Sequence, residues 1–71
     1  MKYSKLVEFG QNLRAERVRR SLTLDKLGEL ASLNPSHIGK IERAEMSPTL
    51  PTILSLLEAL KIDFDKLIDY K

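Results

Sequence analysis

Residues 23–43, TLDKLGELASLNPSHIGKIER, decide the fold, because they contain two helix-start signals eleven residues apart. Thr23 and Asn34 each supply a side-chain oxygen that can accept from the free backbone N–H groups of a first helical turn. An apolar residue precedes each of them, as in a hydrophobic staple. Pro35 suits the first position of a helix, where a backbone N–H is not needed. The stretch therefore predicts two short helices that meet at a tight corner.

The apolar residues of this stretch recur at helical spacing, which predicts one shared buried face. They are Leu27, Leu30, Ala31, Leu33, Ile38 and Ile41. Ser36, His37 and Lys40 are then expected to project outward from the second helix of the pair. Gly28 lies where alanine would favour a helix by about 1 kcal/mol, so it predicts a close approach of that second helix. Gly39 is expected to be exposed in mid-helix.

The rest of the chain adds three more predicted helices around this pair. The first runs from Ser4 or Lys5 to Arg20, and Gly10 weakens it unless a neighbour packs close. Its inward residues are expected to be Leu6, Phe9, Leu13 and Val18, with Tyr3 the one preceding side chain expected to dock. Ser47-Pro48 interrupts the helical pattern, Thr49 caps the next helix, and Asp63 caps a short fifth helix that ends near Asp69. Residues 1–71 are therefore expected to form a single all-α domain.

Composition excludes several classes of site and of protein. The 71 residues contain no cysteine, which excludes disulfides and thiolate metal sites and suits a reducing cytoplasm. No apolar run approaches the roughly 18 residues of a membrane span, and the N-terminus lacks the apolar core of a signal peptide. We therefore expect a cytoplasmic protein.

The sequence also lacks the residue patterns of an enzyme or a ligand-binding protein. His37 is the only histidine, so no metal site and no cofactor are expected. No Ser/His/acid spacing or glycine-rich phosphate loop is present, and so small a helical domain has little room for a substrate cavity of about 300–1,000 Å³. No enzymatic activity and no small-molecule ligand are predicted.

Charge divides the chain into two unequal halves. Residues 1–43 hold nine Lys/Arg against five Asp/Glu, a net +4, whereas residues 44–71 hold three against five, a net −2. Such a dipolar chain suits a polyanion at one end and a different contact at the other. Simple solvation of both halves is the alternative, and composition alone leaves it open.

An ordered set of residues across positions 9–62 carries a family resemblance. The set consists of Arg14, Arg17, Leu22, Thr23, Leu27, Ile38, Ile41, Glu42, Arg43, Pro48 and Leu57 to Leu60 with Ala59. With these spacings the chain resembles the lambda-repressor-like, Cro/XRE-type helix-turn-helix family. Three positions depart from the family pattern: Leu24 replaces a common glutamine, and Ser32 and Ala44 replace glycines at turns that often adopt positive φ.

The resemblance implies a compact five-helix, lambda-repressor-like DNA-binding domain with its helix-turn-helix motif at about 23–43. The third helix would lie in the major groove. The implied base contacts are Asn34, Pro35, Ser36, His37 and Lys40, and the implied phosphate contacts are Arg14, Thr23, Leu24 and Arg43. The resemblance also implies an ion pair between Arg17 and Glu42 across the core.

Three of the nearby residues have an alternative role that the sequence leaves open. Leu24 lacks the side-chain donor that glutamine would offer, so packing against the ribose or the third helix is an equal alternative. Arg19 and Arg20 lie at the C-terminal end of the first predicted helix, where cations favour the helix dipole, and phosphate contact is their alternative.

Residues 50–70 contain more apolar side chains than one domain core can bury, and a chain of this length is marginal as a monomer. These residues predict a homodimer, with an interface formed by Leu50, Ile53, Leu54, Leu57, Phe64 and Ile68, and Tyr70 adds to the apolar excess. The resulting hypothesis is a homodimeric, sequence-specific transcriptional regulator, a repressor, that binds double-stranded DNA at a two-fold-related operator. The alternative is a protein-interaction module, antitoxin-like or antirepressor-like, that retains the fold.

Overall fold

The computed structural model describes residues 4–69, and every regular element in that range is helical. The elements are α1 (Ser4–Arg19), α2 (Leu24–Ala31), α3 (Pro35–Glu42), α4 (Leu50–Leu60) and a 3-10 turn (Phe64–Lys66). The all-α prediction is confirmed, although the fifth element is a single 3-10 turn rather than an α-helix. Tyr3 and Tyr70 lie outside the described residues. None of the helices in residues 4–69 is long and apolar enough to cross a bilayer.

Side-chain caps begin the three central helices, as the sequence predicted. Thr23 Oγ1 accepts from the backbone N–H of Lys26 at 3.0 Å, and Asn34 Oδ1 accepts from that of Ser36 at 2.8 Å. Thr49 caps α4 in the same way. Each cap satisfies a backbone donor that the first turn leaves without a helical partner. Asp63 occupies the N-cap position of the 3-10 turn, as predicted, but its side chain makes no cap hydrogen bond.

One apolar core joins all four helices and the C-terminal segment. Its buried members are Phe9, Leu13, Leu27, Ala31, Ile38, Ile41, Leu56, Leu60 and Leu67. Two residues predicted to face inward, Val18 and Leu30, are more than half exposed. Val18 lies about 140° around α1 from Leu13, and Leu30 lies about 60° outside the buried sector of α2. The carboxylate-bearing Glu16 is buried on the inward face of α1 instead.

Glycines mark two close approaches between elements. A Cβ atom at Gly28 would lie 2.6 Å from the Leu33 carbonyl oxygen and 2.9 Å from Cγ of Pro35, so the close approach predicted at the corner is confirmed. Gly10 plays the same part between α1 and the last residues of α3. Without a side chain at these positions, α1 packs against the backbone of α3, and α2 packs against the corner formed by Leu33 and Pro35.

Side chains of α1 hold the C-terminal segment in place. Asn12 Nδ2 donates to the Leu67 carbonyl oxygen at 2.9 Å, and Glu8 accepts from the backbone N–H of Asp69 at 2.7 Å. That hydrogen bond, aided by Lys5, lowers the pKa of Glu8. The polar contacts fix the path of the chain, and the fully buried side chain of Leu67 anchors it to the core.

Among residues 4–69, four residues other than glycine adopt the left-handed conformation, each just after a helix. They are Ser21, Ser32, Ala44 and Lys61, with φ between 57° and 59°. Ser32 and Ala44 stand where the resembled family usually has glycine, so the backbone keeps the turn although the residue has changed. A Cβ atom in this conformation costs about 1–2 kcal/mol.

Replacing Ala44 with glycine is therefore expected to raise the free energy of unfolding by about 0.5–1 kcal/mol, because glycine removes the steric cost but adds entropy to the unfolded chain. Ala15→Gly is the matched control, since Ala15 is exposed within α1 and its replacement should lower stability by about 1 kcal/mol. Urea denaturation measures both changes. A loss of stability in Ala44→Gly would show that the left-handed turn carries no such cost.

Candidate nucleic-acid interface

Helix α3 has one face in the core and the other in solvent. Ile38 and Ile41 are buried, and α3 packs against both α1 and α2. Ser36, His37 and Lys40 are exposed on the opposite side. The helix is thus a short rod supported along one face, with three polar side chains free to touch another molecule.

The two other predicted base-contact residues lie at the start of this rod. Asn34 is exposed, and its Oδ1 atom accepts from the backbone N–H of Ser36. Pro35 is half-buried, and its ring faces Gly28 of α2. The structure therefore places four of the five predicted base-contact residues at the start of α3 and Lys40 in its last turn, with the amide of Asn34 partly engaged in capping.

A buried ion pair fixes the far end of α3 to α1. Arg17 Nε and Nη2 donate to the two carboxylate oxygens of Glu42 at 2.7 and 3.0 Å, and Nη1 donates to the Leu22 carbonyl oxygen at 2.8 Å. The side chains of Arg17 and Glu42 are only 12% and 4% exposed. The hydrogen bond to Glu42 raises the pKa of Arg17. This planar, two-point contact sets how α3 sits on α1.

The predicted phosphate-contact residues surround a groove beside α3. Arg14, Leu24 and Arg43 line a hollow of about 460 Å³, together with Gln11, Arg17 and Glu42. Thr23 precedes Leu24 and is exposed, with its hydroxyl capping α2. Three helices therefore contribute to this groove, and the exposed side chains of Arg14 and Arg43 make it basic.

The side chain of Leu24 packs across α3, as one of the alternatives for it supposed. A Cβ atom at Gly39 would lie 3.3 Å from Leu24 Cδ1 and 3.1 Å from Arg43 Nη1. Gly39 is consequently buried, and the prediction that it would be exposed is wrong. Its cover consists of the ends of two long side chains, which the spacing of residues within α3 does not show.

Arg19 and Arg20 are paired with a glutamate that the sequence analysis missed. Arg20 Nη1 donates to Glu16 Oε1 at 2.6 Å and to the Glu16 carbonyl oxygen at 2.8 Å, and Arg19 Nη1 lies 3.0 Å from Glu16 Oε2. The Arg20 hydrogen bond, helped by the charges of both arginines, lowers the pKa of Glu16. The spacing of three and four residues could have indicated these pairs. Both guanidinium groups are therefore engaged by Glu16 at the C-terminal end of α1.

A second missed residue, Glu45, lies next to the candidate interface. Arg43 Nε donates at 2.8 Å to Oε2 of Glu45, two positions further along the chain, and both side chains are exposed. The sequence offered only the opposite charges two positions apart, which is weak grounds for a contact.

An apolar surface lies on α4 and the turn that follows it. Leu50, Leu54 and Phe64 are exposed, and the other predicted interface residues, Ile53, Leu57 and Ile68, are half-buried. We call these six residues the α4 surface. They lie in the acidic part of the chain, residues 44–71.

A family model described as helix-turn-helix matches residues 13–67, which include α2, α3 and α4. The chain belongs to the helix-turn-helix family. The family resemblance found in the sequence is thus confirmed.

Three named members of this helix-turn-helix group are similar to the chain. The control protein C.SmaI of Serratia marcescens is 34% identical over 58 residues, which are 82% of this chain and 69% of that protein. The HTH-type transcriptional repressor RghR of Bacillus subtilis is 38% identical over 61 residues, 84% of this chain and 45% of RghR. The crystal structure of the restriction-modification controller protein C.AhdI from Aeromonas hydrophila superposes with a TM-score of 0.87 at 38% identity, covering 93% of this chain and all of that one.

Proposed function

We propose that this protein is a cytoplasmic, sequence-specific DNA-binding transcriptional regulator that represses as a homodimer and performs no catalysis. The observation that carries the proposal is the division of α3, whose apolar face is buried while Ser36, His37 and Lys40 remain exposed. Relatives named as controller proteins and as a transcriptional repressor support the regulatory role. No cofactor, metal or small-molecule ligand enters the proposal.

In the proposed complex the first turns of α3 lie in the major groove of double-stranded DNA. Ser36, His37 and Lys40 would face the base edges, while Asn34 and Pro35 would approach the groove at the start of the helix. The Lys40 ammonium group can donate to O6 and N7 of a guanine, and the Ser36 hydroxyl can donate or accept. The preference of the protein for one DNA sequence would therefore come from the exposed side chains of α3.

Phosphates would be held at the groove that borders α3. The first backbone N–H groups of α2, near Thr23 and Leu24, would donate to a DNA phosphate, because a helix N-terminus favours an anion. The guanidinium groups of Arg14 and Arg43, both exposed, would complete the set. These contacts would fix the register of the protein on DNA without reading its sequence.

Two alanine variants separate these roles. Lys40→Ala is expected to relax the preference at one base pair, with a cost of about 1–3 kcal/mol at the preferred operator and little change on other sequences. Arg43→Ala is expected to weaken binding to all sequences alike and to flatten the salt dependence. Both are measured by titrating duplexes that differ at single base pairs. A Lys40→Ala variant with unchanged sequence preference would remove the base-contact assignment.

The function itself is tested by selecting bound duplexes from a random pool and titrating the selected sequence against salt. Log affinity should fall linearly with log salt, at about 0.9 for each phosphate neutralised. If no sequence is enriched and binding to other macromolecules ignores salt, the protein-interaction module becomes the better description.

We also propose that the α4 surface joins two protomers. Leu50 and Leu54 on α4 and Phe64 in the turn after it are large apolar side chains exposed to solvent, and their burial would supply the hydrophobic stabilisation that a small domain needs. A two-fold dimer would present two copies of α3 about 34–36 Å apart, one turn of B-DNA, to a two-fold-related operator.

Leu54→Lys is expected to dissociate this dimer, since it would place a charge within an apolar contact. Leu30→Lys is the matched control, because Leu30 on α2 is 51% exposed against 56% for Leu54 but lies outside the α4 surface. Sedimentation equilibrium of the wild-type protein and both variants gives the mass of each. A dimeric Leu54→Lys protein, or a monomeric Leu30→Lys protein, would place the interface elsewhere.

A further inference from the structure

We propose that Glu45 limits the DNA affinity of this protein by occupying Arg43 in the unbound state, as a built-in competitor for backbone phosphate. The inference rests on the proposed DNA-binding function. It gives Glu45 a role in setting the DNA affinity, on a surface where the other residues are proposed to contact DNA directly.

The geometry of the Arg43–Glu45 pair is that of an arginine bound to an oxyanion. Arg43 Nε lies 2.8 Å from Glu45 Oε2, and Nη2 lies 3.4 Å from Oε1, so two donors on one edge of the guanidinium face both carboxylate oxygens. A DNA phosphate accepts hydrogen bonds from the same edge in the same two-point manner. Glu45 and a phosphate therefore cannot both use these donors.

The backbone around Glu45 holds its carboxylate beside the cations of α3. Ala44 adopts a φ of 59°, and the Glu45 N–H donates to the Lys40 carbonyl oxygen at 2.8 Å, so the chain turns back over the end of the helix. The hydrogen bond from Arg43, with smaller effects from the charges of Arg43 and Lys40, lowers the pKa of Glu45. The carboxylate is consequently ionised at neutral pH, next to the proposed phosphate contact and the proposed base contact.

The pair is also accessible to a competing anion. The side chains of Arg43 and Glu45 are 57% and 53% exposed, so DNA can reach Arg43 without unfolding any element. When Arg43 moves to a phosphate, the Glu45 carboxylate loses its partner and takes up a cation from solution in place of Arg43. Fewer cations are then released on binding, which lowers both the affinity and its dependence on salt.

The test compares Glu45→Gln with Glu29→Gln. Glu29 forms an exposed pair with Lys26 on α2, with Nζ and Oε1 2.9 Å apart and the glutamate side chain 70% exposed, so both variants lose one exposed, paired carboxylate. Of these two glutamates, only Glu45 pairs with a residue that is proposed to contact DNA. The probe is a pool of random-sequence DNA duplexes, titrated at several salt concentrations by fluorescence anisotropy.

At low salt, Glu45→Gln is expected to bind the pool about two- to tenfold more tightly than Glu29→Gln does. Its slope of log affinity against log salt should be steeper by up to about 0.9. In an Arg43→Gln background, Glu45→Gln should raise the DNA affinity by no more than Glu29→Gln does, because Glu45 acts through Arg43. Thermal unfolding of each variant checks that the fold is retained.

Three results would overturn the inference alone, provided that the wild-type protein binds DNA in a salt-dependent manner. The first is equal affinity of the Glu45→Gln and Glu29→Gln proteins. The second is weaker binding by Glu45→Gln, which would make Glu45 an orienting residue for Arg43. The third is a full effect of Glu45→Gln in the Arg43→Gln background. A wild-type protein that binds no duplex would overturn the proposed function and this inference together.

Discussion

Replacing Arg17 with methionine is expected to lower the free energy of unfolding by about 3–5 kcal/mol, because it leaves the Glu42 carboxylate buried without its guanidinium partner. The side chain of Glu42 is only 4% exposed and receives two hydrogen bonds from Arg17. The Leu22 carbonyl oxygen would lose a donor as well. A 71-residue domain has about 4–11 kcal/mol of stability in total, so this loss is a large share of it. Urea denaturation followed by circular dichroism measures the change.

A double-mutant cycle separates the pair from the packing of each side chain. Arg17→Met/Glu42→Leu should recover much of the stability lost by Arg17→Met, since removal of both charges leaves no buried ion without a partner. Arg14→Met, on the exposed side of the same helix, should change stability by no more than about 0.5 kcal/mol. Additive losses in the cycle would show that Arg17 and Glu42 contribute independently.

The positions of the helix starts were predictable because they depend on local chemistry. Thr23, Asn34 and Thr49 each cap a helix through an oxygen that reaches only two or three residues ahead, so the sequence carries the whole signal. The corner at Gly28 could be predicted for a similar reason, because glycine in mid-helix is costly without a close neighbour. Residues on the outer side of α3 followed from helical spacing once Ile38 and Ile41 were assigned to the core.

The predictions that failed depend on what lies across from a helix. Spacing alone cannot tell whether Val18 or Leu30 meets a neighbour, and the core is narrow enough to leave both exposed. Glu16 lies on the inward face of α1, where only apolar side chains were predicted to point. Its charge is tolerated there because Arg19 and Arg20 pair with the carboxylate. Such pairs depend on the rotamers of long side chains, and a helical period does not determine those.

The burial of Gly39 and the pairing of Arg43 with Glu45 could not be predicted from the sequence, for two other reasons. The first depends on how the side chains of Leu24 and Arg43 lie across α3. The second depends on the path of the chain after α3, where Ala44 takes a left-handed conformation. That turn directs Glu45 back toward Arg43. The sequence could therefore nominate the cations of the interface, but not the anion that occupies one of them.

The second large effect is expected from Gly10→Ala, which should lower the free energy of unfolding by about 3 kcal/mol. An added Cβ atom would lie 2.5 Å from the Ile41 carbonyl oxygen and 2.6 Å from that of Glu42. These are backbone atoms at the end of α3, so relief requires α1 and α3 to move apart. The gain in helix propensity, about 1 kcal/mol, is smaller than this cost. Urea denaturation gives the net change.

Gly39→Ala is the matched control for this prediction, because it makes the same chemical change in the middle of another helix. Its Cβ atom would meet Arg43 Nη1 at 3.1 Å and Leu24 Cδ1 at 3.3 Å, which are the ends of flexible side chains. Both can move by a few tenths of an ångström, so the helix propensity of alanine should prevail and leave stability unchanged or raised by up to about 1 kcal/mol. Equal losses from the two variants would mean that burial of glycine, rather than backbone contact between α1 and α3, determines the cost.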